Sequence, residues 1–390
     1  MPSSRRQVAG AGLLFAGNGA TFAALLPWYP LLTRELRLGP AEFGLIVACF
    51  AVGAILSSTL PAPLIRRFGP LPVCVALTSV LAAAVAAAAW APTGALLALC
   101  LFAAGFADAV VDVAQNVVGL RAQTRAGRPV LSSMHALWSL GGVAGGAVAT
   151  AAAASGVDMW VHLVPAGVVG VVAVGVGPWL VGPMDAPSGE APPHADRRLR
   201  RWAPVLRAVL PLVVIAVAGT MLEDVANNWA ALSAVELGGV EAGAAGIAFT
   251  VVIGSQCIGR FTGDALIHRF GRAAVARSGG ALVAAGGLGI VSGQSGLFFA
   301  GLAAVGLGCA TLVPSALTAA SRVPGLAEGT GVMIVSWLMR LGFLGTSPLV
   351  GAIADGAGLR AAMLVLMLTG VAVLLLGRHL GGGDEAPPAP

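Results

Sequence analysis

The chain has 390 residues, of which 57% are hydrophobic and 10% charged, against about 25% charged in a soluble domain. With a mean hydropathy of +0.90, this composition excludes a soluble globular domain and predicts an all-α polytopic membrane protein. The formal net charge of +5 is the balance of 22 basic residues, all arginine, against 17 acidic ones. All the arginines but Arg340 fall in the loops and flanks of apolar runs, which argues for membrane orientation and against nucleic-acid binding.

A helix needs about 20 apolar residues to cross a bilayer. Twelve stretches meet this, at approximately 8–31, 43–65, 71–90, 95–119, 130–154, 160–181, 204–229, 242–266, 273–292, 296–320, 331–354 and 359–376. The first follows a basic start and has the look of a secretory signal. It is too long for a signal core, and no soluble mature domain follows it, so it reads as a spanning helix. It carries Asn18 and Thr21, either a polar stripe toward an interior or groups satisfied within the helix packing.

The fourth stretch carries the strongest functional signal. Asp108, Asp112 and Gln115 fall on one narrow face, with Asn116 beside it. A charged carboxylate at the bilayer centre costs roughly 2.5–3.5 kcal/mol on insertion scales, so this face must look into protein or a water-filled cavity. At 1.5 Å per residue from Arg121, Asp112 lies about 13 Å and Asp108 about 20 Å deep in the ~30 Å core. The two can carry protons, or they can form a static clamp with Arg121, Arg128 or His135. In the fifth stretch His135 is either a titrating group or a structural hydrogen-bonder, and Trp138 lies one turn further on. Gly141, Gly142, Gly145 and Gly146 predict close helix packing.

Residues 182–203 are rich in proline and end in Arg197, Arg198, Arg200 and Arg201. They read as a flexible linker between a bundle at 1–181 and a second at 204–380, with a disordered tail at 381–390. The arginine cluster serves as an orientation anchor or an anionic-lipid contact. The seventh stretch closes with Glu223, Asp224, Asn227, Asn228 and Trp229. Counting from Arg207 puts Glu223 about 24 Å across, either at an outer gate or solute contact, or in the headgroup region. Arg340, inside the eleventh stretch, needs a counter-ion, and the acidic groups of the fourth and seventh are the candidates.

With the N-terminus inside, eighteen arginines fall on cytoplasmic segments and three (Arg34, Arg37, Arg360) outside. That bias places both termini in the cytoplasm of a plasma or inner membrane. The halves also repeat. Arg67-Phe68-Gly69 returns as Arg269-Phe270-Gly271, a displacement of 202, and Gly142 and Gly145 return as Gly342 and Gly345, a displacement of 200. Two parallel six-helix repeats about an axis along the membrane normal place a solute site near the midplane between them. Cys49, Cys74, Cys100, Cys257 and Cys309 lie far apart in apolar runs, with no metal or disulfide spacing. No cofactor is expected.

The stretch from Gly259 and Arg260 through Gly263 and Asp264 to Arg269, Gly271 and Arg272 resembles the loop signature of the major facilitator superfamily between helices eight and nine. The resemblance extends to the whole chain, through twelve spans, the six-plus-six split and the basic central loop. It implies that Asp264 caps or pairs at the cytoplasmic surface, with Arg269 or Arg272 as candidate partners in a gate. The first-half copy, PAPLIRRFG, lacks the acid, so the latch is expected mainly in the second half. More narrowly, Asp112 to Asn116, with Met134, His135, Trp138, Ser139, Gly141 and Gly142, resembles a fucose-permease-like bacterial branch. The antiporter pattern wants a proline after Gly145, where this chain has Gly146, so direction stays open.

Hydrolase signatures of the H-E-x-x-H and G-x-S-x-G types are absent, and so is a phosphate-binding G-x-x-x-x-G-K-[ST]. Asp108, Asp112 and Asn116 have the spacing of half a Mg²⁺ site of a prenyl- or phospho-alcohol transferase, but no second acidic run completes it. A receptor of the same fold is the other alternative. The expectation is a monomeric, non-enzymatic secondary transporter for a small organic solute, coupled to protons through Asp108 and Asp112.

Overall fold

The computed structural model describes residues 3–127, 130–182, 202–323 and 330–381. Arg128, linker residues 183–201 with their arginine cluster, and the tail from 382 lie outside the described residues. Among those described, sixteen α-helices and no strand are present. The N-terminal set is α1 (Ser4–Ala23), α2 (Tyr29–Glu35), α3 (Pro40–Leu56), α4 (Pro61–Phe68), α5 (Pro70–Ala87), α6 (Gly94–Ala126), α7 (Leu131–Ala154) and α8 (Met159–Val181). The C-terminal set is α9 (Trp202–Asn228), α10 (Ala230–Glu236), α11 (Gly246–Phe270), α12 (Arg272–Val291), α13 (Ser295–Cys309), α14 (Leu312–Ala320), α15 (Thr330–Ala357) and α16 (Leu359–Leu376).

Local chemistry sets the ends. Ser3 caps α1 by accepting from the Arg6 N–H at 3.4 Å, and Thr93 caps α6 by accepting from Leu96 at 3.3 Å, each satisfying a donor the first turn leaves free. Pro40, Pro61 and Pro70 open α3, α4 and α5, where the missing N–H costs nothing. Gly127, at φ +65°, closes α6 in the left-handed region that suits glycine.

Two expected spans are broken. The first divides into α1 and α2 through a 3-10 turn at Leu26–Trp28, where Pro27 removes a backbone donor. The tenth divides at Ala310–Thr311, three residues before Pro314. Among the described residues, eleven segments are long and apolar enough to cross a membrane, against the twelve expected. The eighth expected span corresponds to α11, an unbroken helix of 25 residues that is not among them. Its course carries Gln256, Arg260 and Asp264, which dilute its apolar content.

Contacts fix the directions. At the start of α1, Gln7 donates to the Val181 carbonyl at the end of α8 at 3.1 Å. The start of α3 meets the end of α15, where Gly44 packs on the Ser347 backbone and Gly351 on Pro40. A Cβ at either glycine would strike backbone, so these helices approach as closely as small residues allow. It follows that α15 ends on the face where α3 begins, and α16 returns to the face where α1 starts. Both termini therefore leave from one face, called here the terminus face.

The predicted glycine packing of the fifth span is present. Gly141 and Gly145 of α7 lie on the Ala16 and Ala20 carbonyls of α1, and Gly146 faces the Phe249 ring of α11. The internal repeat is geometric as well as sequential. Gly69 (φ +82°) and Gly271 (φ +81°) turn the chain at matching points, and the arginine two residues before each stands 5.2 Å from the adjacent phenylalanine ring. Trp28 and Trp229 are both 2% exposed, and each lies where a long helix breaks into a short one.

Candidate functional site

Between the two helix sets lies a cavity of about 310 Å³, within the size range of small-molecule sites. The N-terminal set contributes Phe22, Tyr29, Phe50, Asp108, Asp112 and Trp138. The C-terminal set contributes Glu223, Asp224, Asn227, Asn228, Met339, Arg340 and Phe343. Asp108 and Asp112 of the fourth expected span and Glu223 and Asp224 of the seventh all line this cavity.

One wall is a relay built on Asn18, which is 1% exposed. The Trp138 indole donates to its Oδ1 at 2.7 Å, and its Nδ2 donates to Asp108 Oδ1 at 3.0 Å. One turn toward the terminus face, Asp112 Oδ1 accepts from Asn116 Nδ2 at 3.1 Å and from Gln115 Nε2 at 3.5 Å. His135 Nε2 lies 3.2 Å from Asn116 Oδ1. An amide oxygen only accepts, so this ring nitrogen is the donor. The ring also stands edge-on to Phe15 at 5.2 Å.

The facing wall differs from expectation in two ways. Arg260, read from sequence as part of the loop motif, turns into the bundle. It donates to Glu223 Oε1 and to Ser139 Oγ of α7, both at 2.7 Å, and Gln256 adds a donor to Glu223 at 3.0 Å. Arg340, expected to pair with an acid, has no carboxylate within 4.0 Å among the described residues. The acids are otherwise engaged: Glu223 by Arg260, Asp108 by Asn18, and Asp224 by Ser347 and Asn228.

The loop motif itself is looser than the resemblance implied. Asp264 is exposed and pairs with neither Arg269 nor Arg272 among the described residues; the Arg269 guanidinium lies over Phe270 instead. Gly259 and Gly263 have a packing reason, since they press α11 against Ala310 and Thr311.

The cavity is closed at the end opposite the terminus face. Tyr29 and Trp229 both stand edge-on to Phe43, at 5.2 and 5.3 Å. The Trp229 indole donates to Ser347 Oγ at 3.1 Å, and Ser347 donates to Asp224 Oδ2. This aromatic plug thus shares a hydrogen-bond chain with a cavity carboxylate. Toward the terminus face, Asp112 and His135 are exposed.

Sequence reasoning missed Gln256, Arg260 and Ser347 as the hydrogen-bond partners of the cavity acids Glu223 and Asp224. The first two stand four residues apart on one helix face, a polar pair in an apolar run. Arg260 belongs at once to this pair and to the loop motif, and only the packed structure separates the two roles.

This fold, with an acidic and aromatic cavity between two helix sets, defines a multi-pass membrane transporter. Residues 11–238 match the family described as the Major Facilitator Superfamily. The chain belongs to that family. Among its relatives is an uncharacterised transporter, y4wD, of Sinorhizobium fredii. It is 28% identical over 382 residues, covering 94% of this chain and 95% of the relative. The membrane protein MosC of Rhizobium meliloti is 26% identical over 399 residues, with coverage of 98% and 93%. In fold, the chain superposes on a bacterial homologue of the human lysosomal transporter Spinster, in an inward-facing and unoccupied conformation. The TM-score is 0.72 at 14% identity, covering 97% of each chain. The nucleoside transporter NupG gives 0.70 at 13% identity, covering 97% and 98%.

Proposed function

We propose that the chain is a proton-coupled secondary transporter of a small organic solute, working by alternating access in a cytoplasmic membrane. The carrying observation is that the cavity places Asp108 and Asp112 on one helix set and Glu223, Asp224 and Arg340 on the other. Motion of one set against the other changes the surroundings of each acid, so each can take a proton in one state and lose it in another.

In this reading the terminus face is cytoplasmic, as the arginine distribution favours, and α11 completes twelve spans. Two six-helix bundles, 1–181 and 204–380, rock about the cavity. The aromatic plug is the outer gate in its closed state, and Asp264, Arg269 and Arg272 belong to a cytoplasmic gate that is parted here. Asp108 and Asp112 carry the proton, and Asn18 and Trp138 orient Asp108.

The test is proton flux in liposomes containing the purified chain and a trapped pH dye, challenged with a panel of sugars, organic acids, amines and nucleosides. A solute that moves protons through the native chain, and not through empty liposomes, supports the reading. Solute flux with no accompanying proton movement overturns the coupling.

A further inference from the structure

Every acid on the cavity wall already accepts a hydrogen bond from its own side of the protein, as described above. Among the charged side chains that line the cavity in the described residues, Arg340 alone has no hydrogen-bond or ion-pair partner. The Asn227 amide, which also lines the cavity, makes no side-chain hydrogen bond among the described residues either. Phe22, Phe50, Trp138 and Phe343 supply apolar and aromatic wall beside them. A guanidinium is a planar fork of donors that matches a carboxylate in bidentate fashion, and burial beside aromatic rings strengthens that match.

Resting on the transporter reading above, we propose that the solute is a small organic anion, a monocarboxylate with an apolar or aromatic body, held head-first by Arg340. We further propose that it binds together with one proton, taken up by Asp112. Arg340 and Asp112 face each other across the cavity closely enough to act on each other electrostatically. Asp112 is faced also by His135 of α7, by Cys74 of α5 and by Asp108 of its own helix. Of these neighbours Arg340 alone is a permanent cation. When the solute carboxylate neutralises that cation, Asp112 loses its compensating charge and adds a proton from water. On release, the carboxylate leaves Arg340 and the proton leaves Asp112. Anion and proton then travel together, and the carried unit is electroneutral.

The test uses the full-length chain in detergent, in weak buffer with a pH-indicating dye, and titration calorimetry. The probes are a series of aliphatic and aromatic monocarboxylates, with the matching primary amides and amines. The expected result is that carboxylates bind about tenfold or more tighter than their amides, as loss of a bidentate charge-assisted pair dictates, with about one proton taken up per solute. Arg340→Gln removes the preference. Arg340→Lys keeps part of it, which shows that the charge and not mere folding is at issue. Asp112→Asn binds carboxylate without proton uptake. Amides or amines binding as tightly as carboxylates, or no binding anywhere in the carboxylate series, overturns the proposal. An amine or neutral solute that binds and is carried with protons refutes the anion site and leaves the transporter reading standing. A panel that neither binds nor moves in liposomes removes both.

Discussion

Glu223 of α9 and Arg260 of α11 form an ion pair at 2.7 Å, and the same guanidinium reaches across to Ser139 of the N-terminal helix set. Their side chains are 22% and 23% exposed, so the pair is largely desolvated and held by several donors. It links the two helix sets beside the cavity. A single arginine therefore joins the integrity of the C-terminal set to its contact with the other.

Glu223→Gln leaves that arginine uncompensated. Breaking one side of a buried pair costs about 3–5 kcal/mol, and partial exposure brings this to about 2 kcal/mol. Thermal unfolding in detergent should show the loss. The double variant Glu223→Gln with Arg260→Gln should recover part of it, and a double variant as unstable as the two losses summed would argue against direct coupling.

Ser347→Ala should loosen the plug. It removes the acceptor of the Trp229 indole and a donor to Asp224 in one step, at about 1–3 kcal/mol for groups left buried and unpaired. Hydrogen exchange should speed up in α2 and α10, with helices remote from the plug unchanged. Uniform acceleration through the chain would show general destabilisation instead.

At the same closed end, Gly44→Leu drives a side chain into the Ser347 backbone, a contact that neither helix can yield cheaply. The α3–α15 approach should fail, costing about 1–3 kcal/mol from overpacking. A cysteine placed at Phe43 should then react faster with a membrane-impermeant thiol reagent. Unchanged labelling would mean the two helices part without opening a path.

Much of this architecture was legible in the sequence because bilayer thickness imposes one length on every crossing helix. The inward face of α6 was equally plain, since acids four residues apart in an apolar run leave no other placement. What escaped was partner choice. The four-residue spacing of Gln256 and Arg260 marks a polar face on α11 but not its partner, and with Glu223 occupied by Arg260 the counter-ion expected for Arg340 is absent among the described residues. Asn18 looked weak alone and became central only when folding set it between Trp138 and Asp108. The break at Leu26–Trp28 had a visible cause in Pro27, hidden by reading an apolar run as one helix.

Asn18→Ala tests that relay. It removes the donor to Asp108 and the acceptor of the Trp138 indole, so proton-coupled uptake should fall about tenfold or more, in line with loss of a positioned proton-transfer group. Asn18→Asp, which keeps the acceptor for Trp138 but loses the amide donor to Asp108, should separate the two roles. Uptake at the native level in both variants would remove Asn18 from the mechanism.

The most direct test of the central claim is accumulation against a gradient in liposomes with an imposed pH difference, comparing the native chain with Asp108→Asn and Asp112→Asn. The account predicts that the native chain concentrates its solute, and that each variant still exchanges solute across the membrane yet stops at equal concentrations. If both variants concentrate solute as the native chain does, these two carboxylates do not carry the coupling proton, and the account is wrong at its centre.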